Sequence, residues 1–91
     1  MAVTVKLPTQ LRAAAGGAPA VPVEGDTVGA VLEALYGEHP DLRDSLSDGD
    51  GGLRRFVNVY VDGEDIRFLD GLDTQVKDGD EVTILPAVAG G

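Results

Sequence analysis

Two segments in which apolar side chains alternate strictly lie on either side of one amphipathic helical segment. Within residues 2–7, two valines and a leucine occupy one side of an extended chain, which is the period of a half-buried strand. Within residues 56–61, three valines alternate with larger or polar residues, and the all-valine side is predicted to face the core. The apolar face of the helix between them needs a sheet to cover it.

The neighbouring patterns give the order of the first elements. Residues 21–23 predict a short strand that returns antiparallel to the first, with Pro22 suited to a sheet edge. Asp26 and Thr27 can cap a helix whose predicted end is Gly37. The apolar face of this helix follows the i, i+3, i+4, i+7 spacing and consists of Val28, Val31, Leu32 and Leu35.

Two connections are predicted to lack regular structure over most of their length. Between the first two strands, the residues that follow Pro8 are rich in alanine and glycine and are typical of turns. After the main helix, residues 38–52 predict a short second helical turn followed by a mobile loop.

The last third of the chain predicts a hairpin and a final strand. Asp-Gly at 62–63 is a hairpin signal, and Ile66 and Phe68 are predicted to lie in the short return strand. The final strand is predicted over residues 81–85. Strand alternation places Val82 and Ile84 inward and Thr83 and Leu85 outward.

The length and the order of elements together predict one α+β domain. A chain of 91 residues is too short to split into two domains. A hairpin whose helix crosses to further strands makes one mixed sheet with the helix packed on one face, which is a β-grasp arrangement. We expect residues 1–86 to form this domain and residues 87–91 to form a flexible C-terminal tail.

The composition excludes several classes of function. Without cysteine the chain can form no disulfide, thiolate nucleophile or cysteine metal site, and its single histidine leaves little histidine chemistry. A formal net charge of -9 repels nucleic acid and anionic lipid, so we expect neither as a partner. The acidity serves solubility or steers the chain toward basic protein surfaces. The absence of a long apolar run and of a secretory signal predicts a cytoplasmic protein.

Four local features resemble binding or catalytic sites but lack the residues that such sites require. The acidic run at 48–52 fails the calcium-loop spacing, because glycine and valine occupy two ligand positions and leucine occupies the position that requires glycine. Its glycines precede a strand, so they do not form a phosphate-binding loop. His39 is interpreted as a surface turn residue, and Arg54 and Arg55 are predicted to pair with nearby carboxylates. The chain is therefore predicted to contain no catalytic residue and no metal site.

The terminal Gly90-Gly91 pair is a different kind of signal. It follows the last predicted strand on a short tail of small residues. The terminal carboxylate would therefore project from a rigid domain at the end of a narrow segment. Glycine has no Cβ to collide with the walls of a narrow channel. The pattern indicates that the chemistry belongs to the terminal carboxylate of Gly91.

Two stretches carry a family resemblance, FVNVYVDGEDIRF at residues 56–68 and DGDEVTILPAVAGG at residues 78–91. With them the whole chain resembles the ubiquitin-like sulfur carriers of the MoaD/ThiS family, and most of all the branch that serves cysteine biosynthesis. The ending VAGG is shared with the small subunit of molybdopterin synthase, so it indicates the family and not the pathway.

The resemblance implies a carrier and not an enzyme, with no cofactor bound to the carrier itself. An E1-like adenylating and sulfurtransferase enzyme would use ATP and Mg to adenylate Gly91, and a sulfur donor would convert it to a thiocarboxylate. In the cysteine branch, that sulfur would attack an aminoacrylate on the pyridoxal phosphate of a cysteine synthase that uses O-phosphoserine. A metallopeptidase would then release cysteine from the carrier.

The resemblance also implies which residues meet the partners. Val88, Ala89 and Gly90 would enter the partner's channel with Gly91. The position before the PxVAGG tail is a hydrophobic docking contact in related carriers, and here it is Leu85, which Phe56 and Tyr60 would join in one apolar patch. Three alternatives stay open, namely the small subunit of molybdopterin synthase, a ubiquitin-like modifier joined through its last glycine to lysines, and an interaction module with an inert end.

Overall fold

The computed structural model describes residues 2–47, 53–54 and 57–86 of the chain. Within these residues, five strands form one mixed sheet in the order β2-β1-β5-β3-β4. The two central strands β1 and β5 run parallel, whereas the β1–β2, β3–β4 and β3–β5 pairs are antiparallel. The strands are β1 (Ala2–Lys6), β2 (Ala20–Glu24), β3 (Val57–Val61), β4 (Glu64–Asp65) and β5 (Glu81–Pro86).

The described part of the chain contains three α-helices beside the sheet, α1 (Thr9–Arg12), α2 (Val28–Glu38) and α3 (Pro40–Leu46). Thr27 caps α2 as predicted, because its Oγ1 accepts a hydrogen bond from the main-chain N–H of Ala30 at 3.1 Å. The helix continues past the predicted stop at Gly37 and ends one residue later. None of the helices in the described part of the chain has the length and apolar character that a bilayer span requires.

The core lies between one face of the sheet and the helices. The predicted apolar face of α2 is buried, and so are the inward residues of β1, β3 and β5. This arrangement, with a parallel central pair and a crossing helix on one face, confirms the predicted β-grasp fold. The most deeply buried side chains are Val3, Val5, Val28, Val31, Leu35, Leu42, Leu46, Val59, Val82 and Ile84.

The prediction of turns between the first two strands is wrong in part. The chain forms α1 there, and a 3-10 turn follows at Ala13–Ala15. Ala15 is buried, and Leu11 and Ala14 pack against the core, so tertiary contacts select the helical state of an alanine-rich segment. Gly16 ends the segment in the left-handed region with a φ of 71°.

The prediction that Ile66 and Phe68 lie in a return strand is also wrong. The return strand β4 stops at Asp65, whose carboxylate accepts a hydrogen bond from the main-chain N–H of Arg67 at 2.9 Å. This local bond competes with strand pairing and turns Ile66–Phe68 into a 3-10 helix. Ile66 is buried as a result, whereas the side chain of Phe68 is 86% exposed.

One glycine is required by a close approach between β2 and α2. A Cβ on Gly25 would lie 2.8 Å from Cγ2 of Val31 and 2.9 Å from the main-chain nitrogen of Val31. Main-chain atoms of a helix cannot yield as a flexible side chain can, so only glycine lets the chain enter α2 at this distance.

Candidate functional site

The end of β5 brings an exposed leucine to the outer face of the sheet, the face that the helices do not cover. Val82 and Ile84 are fully buried on the helix-covered face, which confirms their predicted direction. Leu85 lies on the opposite face with 43% of its surface exposed. The sequence-predicted docking leucine therefore stands next to the point at which the chain leaves the sheet.

The strand register shows which residues flank Leu85 on this outer face. Asn58 lies directly opposite Leu85, and Tyr60 lies opposite Thr83. Leu85 and Tyr60 are thus diagonal neighbours, about 7–8 Å apart by the usual geometry of an antiparallel pair. The polar residues Asn58 and Thr83 occupy the positions directly opposite these two predicted docking residues, and the third, Phe56, lies outside the described residues.

One proline on each strand follows the point at which the pairing of β1 with β5 ends. The register pairs Lys6 with Thr83, and the N–H of Thr4 donates to the carbonyl of Asp80, which sets the phase of the ladder. In that phase, the next two bonds would need the N–H groups of residues 8 and 86. Both are proline and carry no N–H, so the ladder cannot continue past this point.

A groove of about 640 Å³ opens where β1 and β5 separate. Arg12 of α1 stands at this groove, and its Nε donates to the main-chain carbonyl of Leu7 at 3.2 Å. Leu85 is one of the residues that line the groove. We call the exposed Leu85, together with the largely apolar groove beside it, the tail root. The lining residues are Lys6, Leu7, Pro8, Thr9, Arg12, Pro19, Ala20, Thr83, Ile84 and Leu85.

Two ion pairs involve residues of the outer face of the sheet. Lys6 Nζ is 3.3 Å from Glu81 Oε2, an exposed pair across the parallel strands. Arg67 donates to both carboxylate oxygens of Asp65, with an Nη2–Oδ2 distance of 2.8 Å. The hydrogen bonds from the side chain and the main chain of Arg67 hold the pKa of Asp65 below its ordinary value and raise that of Arg67.

The remaining predicted site residues divide between the described and the undescribed parts of the chain. Val88, Ala89, Gly90 and Gly91 lie outside the described residues, and so do Arg55 and the acidic run at 48–52. His39 is partly exposed at the junction of α2 and α3, which confirms its interpretation as a turn residue.

Arg54 has a different partner from the one predicted. Its Nε and Nη2 donate to the main-chain carbonyl of Asp44, at 3.1 and 2.9 Å, and it forms no ion pair with a carboxylate among the described residues. Carbonyl groups in the last turn of a helix have no partner within the helix, so the C-terminal turn of α3 provides an acceptor for the guanidinium.

The groove and Arg12 were missed by the sequence reasoning, because residues 8–20 were predicted as turns. One signal was present, namely a proline directly after the first strand and another directly before the tail. In a fold with the first and last strands parallel and adjacent, these two prolines mark the place where both strands must part.

The chain is similar along its length to a family model and to a known protein. The model of the ThiS family matches residues 5–91. Sulfur carrier protein CysO of Mycobacterium tuberculosis (strain ATCC 25618 / H37Rv) is 52% identical over 93 residues, covering 100% of both chains.

Solved structures agree with that match. A chain of the BexX/CysO complex from Amycolatopsis orientalis shares 47% identity at a TM-score of 0.90, over 98% of this chain and 99% of that one. SAMP1 from Haloferax volcanii shares 35% identity at a TM-score of 0.85, over 100% of both chains. Since the family model and the full-length relative agree along the chain, the protein belongs to the ThiS family.

Proposed function

We propose that this protein is a sulfur carrier whose sulfur is bound at the C-terminal carboxylate of Gly91. A carboxylate is a poor electrophile, so activation must come first. One carboxylate oxygen attacks the α-phosphorus of ATP, pyrophosphate leaves, and an acyl adenylate forms. A sulfide equivalent from a sulfur donor then displaces AMP and leaves a thiocarboxylate. An E1-like enzyme with its bound Mg supplies this activation, and the carrier supplies the carbonyl group.

The observation that carries this proposal is the 52% identity to sulfur carrier protein CysO along the whole length of both chains. The matched region of the family model runs to Gly91 and so includes the terminal glycines. In this proposal, residues 1–86 are the folded domain and residues 87–91 are the tail that delivers the reacting group.

The tail residues have a steric role in the proposed reaction. Val88 and Ala89 are small, and Gly90 has no side chain at all, so together they let Gly91 pass along a narrow channel to the ATP site. The prolines at 8 and 86 support this role, since they end the main-chain pairing between β1 and β5 just before the tail begins.

Leu85 is the proposed docking anchor on the activating enzyme. A leucine that is 43% exposed beside an apolar groove offers surface that a partner can desolvate. Tyr60 contributes from its diagonal position on β3, and Phe56 from the residues before that strand. Docking at the tail root sets the distance over which Gly91 must reach.

We propose cysteine as the product that the sulfur serves. The thiocarboxylate sulfur attacks an aminoacrylate, formed from O-phosphoserine on the pyridoxal phosphate of a cysteine synthase. An acyl shift leaves cysteine amide-linked to Gly91, and a metallopeptidase releases it in the cytoplasm. The likeness to CysO supports this branch over delivery of sulfur to a pterin precursor.

A second candidate function is protein modification, in which a lysine amine attacks the same acyl adenylate. The likeness to SAMP1, a small archaeal modifier protein, favours it over the full length of both chains. Both functions need the same activation, so they differ only in the nucleophile that follows.

Mass spectrometry of the carrier from its native cell tests the proposal. We expect the intact chain to gain the mass of one oxygen replaced by sulfur, or of one cysteine, and fragmentation to place it on Gly91. Variants that lack Gly91, or that carry extra residues after it, should fold normally and gain neither mass. Gly91 found in isopeptides with lysines would favour modification, and a carboxylate that is never altered would contradict both functions.

A further inference from the structure

We infer that the groove at the tail root receives an apolar side chain and an adjacent carboxylate from the activating enzyme, and that Arg12 binds this carboxylate. The inference rests on the proposed function, because it names the chemistry of the surface on which that enzyme meets the carrier. It assigns to the partner an acidic contact, although the carrier itself has a net charge of -9.

The groove differs in charge from the rest of the molecule. Its lining includes two cations, Lys6 and Arg12, and among the described residues that line it there is no carboxylate. The chain as a whole has 16 acidic and 7 basic residues, so a cleft whose two charged lining residues are both cations departs from the surface around it, although Lys6 pairs with Glu81. An apolar cleft with a cationic rim fits an apolar side chain with an acidic neighbour.

Arg12 is held in place but keeps binding capacity. The bond from its Nε to the carbonyl of Leu7 fixes the guanidinium plane at the groove. Within the described residues Arg12 forms no ion pair, so its terminal N–H groups have no carboxylate partner. A fixed guanidinium loses little entropy when it binds a carboxylate, whereas Lys6 already pairs with Glu81.

The carboxylates concentrate at the opposite end of the sheet. There, the described hairpins and turns hold six of them, and the same turns include Lys77. Some have a structural role, since Asp78 accepts from the N–H of Ala2 and Asp62 accepts from the N–H of Glu81. The six are Glu24, Asp26, Asp62, Glu64, Asp78 and Asp80, whereas Glu81 pairs with Lys6.

This separation of charge orients the encounter with an acidic partner surface. The far end repels such a surface and the tail root attracts it, so the carrier approaches with Gly91 in front. A second copy of the chain is also acidic, so it is a competing occupant that sedimentation distinguishes from the enzyme. The chain's own terminal carboxylate is needed at the ATP site under the proposed function.

Charge reversal at the two ends of the sheet tests the inference. Calorimetry measures binding to the purified adenylating enzyme of the same cell at low and high salt. The variants are Arg12→Glu, Arg12→Lys and Lys77→Glu. We expect Arg12→Glu to weaken binding by about thirtyfold or more and Arg12→Lys by less. Lys77→Glu makes the same kind of reversal at the far end and should change affinity by less than about twofold.

Three results would overturn the inference. Equal losses for Arg12→Glu and Lys77→Glu would assign the effect to net charge alone. Tighter binding or faster loading of Arg12→Glu would mean that the groove holds the chain's own C-terminal segment. Concentration-dependent dimers of the wild type that Arg12→Glu abolishes, seen by sedimentation, would assign the groove to a second copy.

Two controls separate this inference from the proposed function. Melting temperatures show whether Arg12→Glu folds, and if it does not, Arg12→Gln replaces it in the same assay. The mass of the wild type after incubation with enzyme, ATP and sulfur donor reports the proposed function on its own. A wild type that binds through Arg12 but gains no sulfur would contradict the sulfur-carrier proposal and leave the groove assignment supported.

Discussion

The two faces of the sheet are built from the same strands, yet they have opposite roles. On the helix-covered face, Val5, Val82 and Ile84 are fully buried. One residue along the same strands, Lys6 and Leu85 lie exposed on the outer face. Because strand side chains alternate, a single residue step separates a position that stabilises the fold from one that a partner can contact.

The largest effect on stability is expected where the helix meets the covered face. Leu35 is 0% exposed, so Leu35→Ala should lower the free energy of unfolding by about 2–5 kcal/mol through lost burial and a residual cavity. Leu85→Ala removes the same atoms from the outer face and should cost less than about 1 kcal/mol. Urea denaturation of both variants gives the comparison, and equal losses would contradict it.

A substitution of Leu85 on the outer face should change the affinity for the activating enzyme and leave the stability of the fold nearly unchanged. Leu85→Asp is expected to lower affinity for the activating enzyme by about 2 kcal/mol or more, roughly thirtyfold, because it places a charge at the docking anchor. Its melting temperature should stay close to that of the wild type, since Leu85 is half exposed. Normal loading of this variant would remove Leu85 from the docking surface, and unfolding would show that it belongs to the core.

A pair of glycine variants tests the packing of the covered side more finely. Gly25→Ala should destabilise the fold by about 1–3 kcal/mol, because its Cβ would meet main-chain atoms of Val31. Gly37→Ala adds the same methyl group at a position of α2 with nothing within 4 Å and should stabilise the helix by up to about 1 kcal/mol. Thermal unfolding measures both, and a neutral Gly25→Ala would show that the entry to α2 can adjust.

The smallest expected effect concerns pH on the outer face. The hydrogen bonds from Arg67 lower the folded-state pKa of Asp65 below the 3.8 of an unperturbed carboxyl group. Their stabilisation is therefore complete above 3.8 and is lost as the pH falls through the folded value. The melting temperature of Asp65→Asn should lie below that of the wild type at neutral pH and converge with it in strong acid. A gap that persists in strong acid would mean that Asp65 acts through packing instead of charge.

Much of the candidate site was predictable where one local rule acts alone. The direction of Leu85, the cap at Thr27 and the buried valines of β3 follow from a two-residue or a 3.6-residue period, and the structure confirms them. The arrangement within the predicted patch was not predictable, because strand register places Asn58, and not Tyr60, directly opposite Leu85. Register depends on which strands meet, and a single-strand pattern does not contain that information.

The sequence by itself determined the alternating strands, the single long amphipathic helix and the small-residue tail, because each is a short-range pattern of side-chain size and polarity. The tertiary structure decided that residues 9–15 become helical, that Ile66–Phe68 form a turn, and that Arg54 binds a carbonyl group. It also decided that Pro8 faces the end of β5 and that Arg12 stands at the groove. These outcomes depend on contacts between segments far apart in the chain, and such contacts outweigh local propensities that differ by less than about 1 kcal/mol per residue.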